Sequence, residues 1–409
     1  MTQPFRFIHS SDLHLDRAPR GLAEMPDAWR PMLIDAPYRA AERVFDAALK
    51  ERVDFLVLAG DVVDPGLAGP RALVFLAEQF ARLAQQGIRV YWSGGRADHF
   101  EHWADLWPLA ENVVRFSRER VERIVHRSDG APIAQLLGTS STQRKRIRLS
   151  EFQPDAGELF TVAIVHGAAD AETLANQSVH YWALGGDHQR RAILTGPVVA
   201  HYSGSPQGRR PNETGPHGCT MVQVDDTGRV RTAFIPTDAV RYLDERIAVN
   251  EPTTQEQLHQ VMVERVTELA SDPFGPDLLV RWTIAGSRPL AAELRRGKLA
   301  TELTSRLRSE FAGKRPSVWT VSVEPEQSAG VPAELYEEET LLGEFLRTVQ
   351  HYVDEPEAPL NLESYLAERH VAGSLTSAVS LADPAVRQKV LAEVARLGAE
   401  LLHPQETRR

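Results

Sequence analysis

Five residues in the first half of the chain could hold a divalent metal ion, and each stands where an apolar run stops. In "HSSDLHLD" (9–16), Asp12 and His14 are two residues apart at an expected strand end. At that spacing both side chains can point into one pocket. In "LAGDVVD" (58–64), Asp61 follows Gly60, whose missing side chain lets the backbone turn tightly beside a site. A carboxylate there can bridge two metals, while Asp64 is expected to brace the loop by hydrogen bonds. His166 ends "TVAIVHG" and His188 ends "ALGGDH". Carboxylate oxygen with imidazole nitrogen suits manganese, iron or zinc. Singly, an Asp-x-His pair or a histidine at a strand end is common without any metal. Their succession along one chain is what points to a site.

These residues need a scaffold that gathers strand ends. "FRFIHSSD" reads as a strand that stops at polar residues, and "VDFLVLAGD" as a strand buried on both faces. "YRAAERVFDAALKE" and "RALVFLAEQFARLAQQ" carry apolar residues at helical spacing, the second ended by Gly87. "IRVYW" (88–92), "FTVAIVHG" (160–167) and "VHYWALGGDH" (179–188) supply further strands. This alternation implies a mixed α/β sheet covered on both sides. In such sheets ligands collect beyond the carboxyl ends of the strands, where the five residues lie.

Beyond residue 240 the character changes. "YLDERIAVNEPTTQEQLHQVMVERVTELA", "DLLVRWTIAG", "LAAELRRGKLATELTSRLRSEF" and "SVWTVSVEP" read as a small βαβαβ unit, with its second helix broken near Gly297. "QSAGVPAE" (327–334) reads as a linker, and the tail beyond it as helical, with an apolar stripe at Leu341, Leu342, Phe345, Leu346 and Val349. The expected domains are therefore 1–240, 241–326 and 327–409.

Composition narrows the class. With 42% hydrophobic and 25% charged residues the chain is of globular type. No window reaches the ~18 apolar residues of a membrane span. The N-terminus shows no basic region followed by an apolar core, so no signal peptide is expected. One cysteine, Cys219, excludes an intramolecular disulfide or a cysteine zinc site and fits a reducing cytoplasm. A net charge of −10 means that any grip on nucleic acid must come from local patches, bound metal or a partner chain. "QRKRIR" (143–148), with Arg144, Lys145 and Arg146, is such a patch, or else a solvated loop.

The ordered set Asp-x-His, Gly-Asp-x-x-Asp, a Gly-rich strand end, a strand ending in His and a Gly-x-x-His strand end resembles the calcineurin-like metallophosphoesterases. The likeness is to their DNA-repair exonuclease branch, the SbcD-like and YhaO-like proteins. "FIHSSDLHLD", "VDFLVLAGDVVD" and "GSPQGRRPNETGPHG" (204–218) carry it, and "LLVRWTIAG" with "LRRGKLATEL" resembles the capping domain of that branch. The resemblance implies a β-sandwich core flanked by helices, an α+β capping domain and a helical C-terminal tail. It implies Mn2+-dependent hydrolysis of DNA phosphodiester bonds beside a coiled-coil SMC-like ATPase of SbcC/YhaN type. The tail stripe would be a docking helix, or would pack on its own domain. Members of the branch commonly form homodimers.

The resemblance also implies a ligand set. One metal would be held by Asp12, His14, Asp61 and His188. The second would share Asp61 and use His166, an asparagine from Gly-Asn-His-Asp and a histidine from Gly-His-x-His. Here the first motif reads Gly95-Arg96-Ala97-Asp98 and the second Gly185-Gly186-Asp187-His188. The asparagine is Arg96, the catalytic histidine is Ala97 and the other histidine is Gly186, so the losses concentrate on one metal and its adjacent acid. A guanidinium cannot ligate a metal, but Arg96 could fill the vacated space, pair with Asp61 or clamp a phosphate. His99 is a candidate stand-in for the acid, and Asp187 for the lost histidine. Three functions remain open: a DNA phosphodiesterase, a one-metal or non-catalytic DNA-binding or regulatory subunit, and a phosphatase or nucleotidase for small phosphoesters.

Overall fold

The computed structural model describes residues 3–21, 27, 29–98, 110–140, 149–154, 159–250, 252–286, 288–326, 331–356, 358 and 384–402. His99, Arg144, Lys145 and Arg146 lie outside them. By its internal contacts the chain falls into two compact units. One is Met1–Ile247 with Thr254–Thr283 and Leu299–Glu324, and the other is Ala248–Thr253 with Ile284–Lys298 and Pro325–Arg409.

The first half runs β1 (Phe5–Ser10), α1 (Arg30–Lys50), β2 (Phe55–Ala59), α2 (Pro70–Gln85), β3 (Arg89–Ser93), β4 (Val113–Arg115), β5 (Glu122–Ser128), β6 (Ala131–Gly138), β7 (Phe160–His166) and β8 (Tyr181–Gly185). There follow β9 (Arg191–Leu194), β10 (Val199–Tyr202), β11 (Gly218–Val224), β12 (Val230–Pro236), β13 (Val240–Ala248), β14 (Asp277–Ala285) and β15 (Val318–Pro325). One sheet has the order β12-β11-β1-β2-β3-β4, and a second β5-β6-β7-β8-β10-β9. Within them β1 to β4 and β6, β7, β8 and β10 pair in parallel, so their carboxyl ends point the same way in each sheet.

Strand–helix alternation alone suggests one sheet covered by helices. The structure instead stacks two sheets, as the family resemblance implies. The second sheet begins with β5, whose polar outer residues hid it: "ERIVHRS" exposes alternate positions. Successive side chains point to opposite faces. On β2, Phe55, Val57 and Ala59 enter the core between the sheets, where Phe7, Tyr91, Phe160, Val162 and Tyr181 meet them. Leu56 and Leu58 face the other way, into a layer closed by Val44 and Phe45 of α1 and by Leu76, Phe80 and Leu83 of α2. Trp182 and Leu184 of β8 face a third apolar layer with Phe152 and Val165.

β13, β14 and β15 form a separate three-stranded sheet. The Gln255–Leu269 helix starts with a capping box, in which Thr254 and Gln257 satisfy each other's backbone N–H. The chain breaks between the Arg288–Arg295 and Lys298–Glu310 helices, at Gly297 with φ 84°. In the tail, Leu342, Leu346 and Val349 pack against Leu391 and Ala395 of the Pro384–Leu402 helix. A side chain at Gly398 would overlap the Phe345 ring. Most of the stripe read from the sequence is thus used inside the tail, while Leu341 stays 71% exposed.

The inter-sheet aromatic cluster holds the two sheets face to face. Phe55 stacks on Phe7 of its own sheet at 4.7 Å and meets the His126 ring of β5, in the other sheet, at 4.9 Å. Phe55→Ala is expected to cost about 3–5 kcal/mol in denaturant unfolding, the range for a large core aromatic.

Candidate metal centre

The two strand exits at the centre of the first sheet run side by side. Asp12 N–H donates to Gly60 O at 2.9 Å, His14 N–H to Asp61 O at 3.0 Å and Leu15 N–H to Val62 O at 3.1 Å. Asp12, His14 and Asp61 all have left-handed backbones, with φ of 55°, 46° and 52°. For a residue with a Cβ this costs about 1–2 kcal/mol each. The coil sends Leu13 and Leu15 into the helix-covered core and leaves Asp12 and His14 together. Asp64 braces the exit loop as expected: its N–H donates to Asp16 Oδ1 at 2.9 Å, and its Oδ1 accepts from Gly66 N–H at 2.9 Å.

Asp98 holds the Asp61 turn from below. Its buried carboxylate accepts from Asp61 N–H at 3.0 Å, Val62 N–H at 3.2 Å, Trp92 Nε1 at 2.7 Å and Gly95 N–H. Burial, and then the nearby Asp61 charge, push this carboxyl up to about 6. Gly95 has to be glycine, because a Cβ there would meet Asp61 Oδ1 and His166.

Each histidine is oriented by a different partner. His166 Nδ1 lies 2.9 Å from Ala59 O. A carbonyl only accepts, so Nδ1 carries the proton and Nε2 presents its lone pair, 3.5 Å from Asp61 Oδ2. His188 Nδ1 is 2.9 Å from Glu213 Oε1, which turns Nε2 toward Asp12 Oδ1 at 4.0 Å. The Glu213 hydrogen bond raises the His188 pKa against the opposing effect of burial. Glu213 Oε2 is itself held by Arg209 N–H at 2.7 Å. His14 Nε2 stands 3.9 Å from both Asp12 Oδ1 and Asp61 Oδ2. Burial first, then the charge of Arg209, holds His14 down to about 2, so the ring is neutral, as a metal ligand must be.

The two carboxylates share one arrangement. Asp12 Oδ2 accepts from Gly186 N–H at 2.8 Å, and Asp61 Oδ1 accepts from Ala97 N–H at 2.7 Å. The other oxygen of each faces the histidines. Asp12 Oδ1 and both ring nitrogens of His14 are buried without a hydrogen-bond partner. Leaving such atoms unmatched costs about 1–3 kcal/mol each, more for a charge. Ligand atoms of Asp12, His14 and His188 lie within 4.8 Å of one another, and so do those of Asp12, Asp61 and His166. Lone pairs of oxygen and nitrogen, buried, unpaired and convergent, fit a divalent cation.

The structure therefore brings together all five residues singled out by spacing, with Asp12 common to both groups. Arg96 does not join them. Its residue is exposed, and the backbone N–H of Ala97 reaches Asp61 instead. Asp187 pairs outward with Arg191 at 3.0 Å. Gly186 has φ 96°, and a Cβ on it would sit 3.2 Å from His166 Nε2. Glu213 and Asp98 were missed as orienting residues. Glu213 lies within "GSPQGRRPNETGPHG", but nothing in that stretch marks which polar residue turns inward.

A family model described as calcineurin-like phosphoesterase matches residues 5–182. The chain carries a calcineurin-like phosphoesterase domain. That is a hydrolase fold which implies divalent metal binding, and the groups described above are its candidate ligands. The chain is 28% identical over 343 residues to the uncharacterized metallophosphoesterase YhaO of Bacillus subtilis, covering 80% of this chain and 83% of that protein. It is 23% identical over 334 residues to the DNA double-strand break repair protein Mre11 of Methanopyrus kandleri, covering 73% and 72%. A crystal structure of a dimetal phosphatase from Danio rerio aligns over 57% of this chain and 99% of that one, at 12% identity and a TM-score of 0.36. No helix among the described residues is long and apolar enough to cross a membrane.

Two substitutions test how the candidate site is held. Glu213→Ala frees the His188 ring and is expected to lower Mn2+ affinity about 10–100-fold by calorimetry, the usual loss for an orienting partner. Asp98→Asn turns an amide NH2 against backbone or indole N–H donors. Its thermal unfolding midpoint is expected to fall by several degrees, about 1–3 kcal/mol for the unmatched donors.

Proposed function

We propose that the chain is a metal-dependent phosphodiesterase acting on DNA, working with one principal metal site. The observation that carries this reading is the convergence of Asp12 Oδ1, His14 Nε2 and His188 Nε2, with Asp61 Oδ2 beside His14. The DNA substrate is carried over from the similarity to Mre11, together with the capping-type sheet after residue 240.

Asp12, His14, Asp61 and His188 would hold the cation, most simply Mn2+. Bound there, it would supply Lewis acidity to a phosphoryl oxygen and to the attacking water. Glu213 keeps the proton of His188 on Nδ1. Ala59 O does the same for His166, whose Nε2 faces the reaction side as an acceptor. Arg209, close enough to depress His14, adds positive charge for a phosphate. A general acid typically contributes ~10²–10⁴-fold, and Ala97 supplies none, so turnover would be slow.

A second reading is favoured by the same two positions. Ala97 and Gly186 each offer a backbone N–H to a carboxylate where the family motifs carry histidines. A chain that keeps the fold and a phosphate-binding site could serve as the DNA-binding or regulatory subunit of an SMC-like coiled-coil ATPase.

Hydrolysis of linear DNA in Mn2+ separates the two. The wild type is expected to cut slowly and Asp61→Ala not at all. Failure of the wild type, alone and with the ATPase, would leave the binding subunit. A strong preference for a mononucleotide over DNA would instead make it a small-molecule phosphatase. Anomalous diffraction from Mn2+-soaked crystals is expected to show one dominant peak among Asp12, His14, Asp61 and His188. Two full peaks about 3.5–4 Å apart would overturn the one-metal site.

A further inference from the structure

None of the candidate ligands lines a cavity of about 460 Å3 formed by α1 and two loops of the three-stranded sheet. Arg39 and Arg43 of α1 and Arg315 from the loop before β15 line it, and among its lining residues Asp277 carries the one carboxylate. That carboxylate is already engaged. Its Oδ1 accepts from Ser317 N–H at 2.8 Å, and its Oδ2 lies 3.7 Å from Arg39 Nη1. Arg43 is anchored through Nη1 to the carbonyls of Thr237 and Asp238, so its guanidinium is fixed in place. Burial, and then the Arg39 charge, hold the Arg43 pKa below its usual value. Two like charges crowded into one cavity favour an anionic ligand. In a chain of net charge −10 this excess of arginine is local and specific.

Phe274 stands on the same cavity and is 90% exposed. Its loop is held firmly. Phe274 N–H donates to Asp272 Oδ1 at 2.9 Å, Gly275 N–H to Asp272 O at 3.0 Å and Asp277 N–H to Ala239 O at 3.0 Å. A large aromatic ring is thus presented to water beside three guanidinium groups.

We propose that this cavity binds single-stranded nucleic acid, with Arg39, Arg43 and Arg315 on successive phosphates and Phe274 stacked on a base. Guanidinium forks match phosphate oxygens, and an exposed ring offers a platform to any unpaired base. A duplex hides its base faces, so Phe274 makes the site selective for an opened strand. The inference rests on the DNA reading above and extends it to a strand-holding surface made of other residues.

Fluorescence anisotropy with labelled oligothymidylate, in EDTA so that no metal-bound phosphate contributes, tests it on the full chain. Phe274→Ala is expected to weaken binding about five-fold or more. The double variant Arg39→Gln, Arg315→Gln is expected to reduce the slope of log K against log salt by about 1.4, or 0.7 for each lost phosphate contact on a single strand. Both changes are at exposed residues, and Arg43 is left in place to keep its packing. Unchanged binding in both variants overturns the proposal. So does a duplex bound as tightly as the single strand with Phe274→Ala silent. Thymidine monophosphate displacing the strand at similar concentrations would make the cavity a free-nucleotide pocket and also overturn it. Cleavage in Mn2+ is read separately. If cleavage fails while these shifts appear, the enzymatic reading falls and this one stands.

Discussion

Two strand exits are locked together in left-handed backbone at Asp12, His14 and Asp61, and the site exists only while that lock holds. Left alone, residues with a Cβ leave this conformation. Here the backbone pairing between residues 12–15 and 60–62 opposes that tendency, and the four donors gathered by Asp98 clamp the second exit. Strain of this kind persists only where surrounding contacts over-determine it. The buried side chains of Leu13 and Leu15 complete the lock from the core side.

The same geometry creates an electrostatic demand. One oxygen of each carboxylate is satisfied by a backbone amide, from Gly186 on Asp12 and from Ala97 on Asp61. The remaining oxygens face imidazole nitrogens whose other ring atoms, at His166 and His188, are tied to an acceptor. Burial pushes Asp12 above the usual carboxylate range and His14 far below the usual histidine range. Both shifts express the cost of charge without water, and for the carboxylates a cation at the centre would offset it.

The departures from the family motifs acquire a physical meaning here. Ala97 and Gly186 act through backbone N–H groups, and Gly186 does so from a φ that a side chain would strain. Each amide takes one carboxylate oxygen, Oδ2 of Asp12 and Oδ1 of Asp61.

Which residues gather at the candidate site was legible in the sequence, because carboxylates and imidazoles are the usual metal ligands and strand ends are marked by apolar runs that stop. The break at Gly297 and the helix-covered face of the first sheet were legible for the same reason, since periodicity and glycine are local signals. The second sheet was less so, because β5 exposes alternate residues, Arg123, Val125 and Arg127, and carries no continuous apolar run. Tertiary structure alone decided that Glu213 orients His188, that Asp98 carries the Asp61 turn and that Arg96 is exposed. Those partners lie 25 and 37 positions apart in the chain, and nothing in local spacing chooses among several acids. It also decided the sign of φ at Asp12, His14 and Asp61, because a conformation disfavoured locally is stabilised only by contacts that folding brings together.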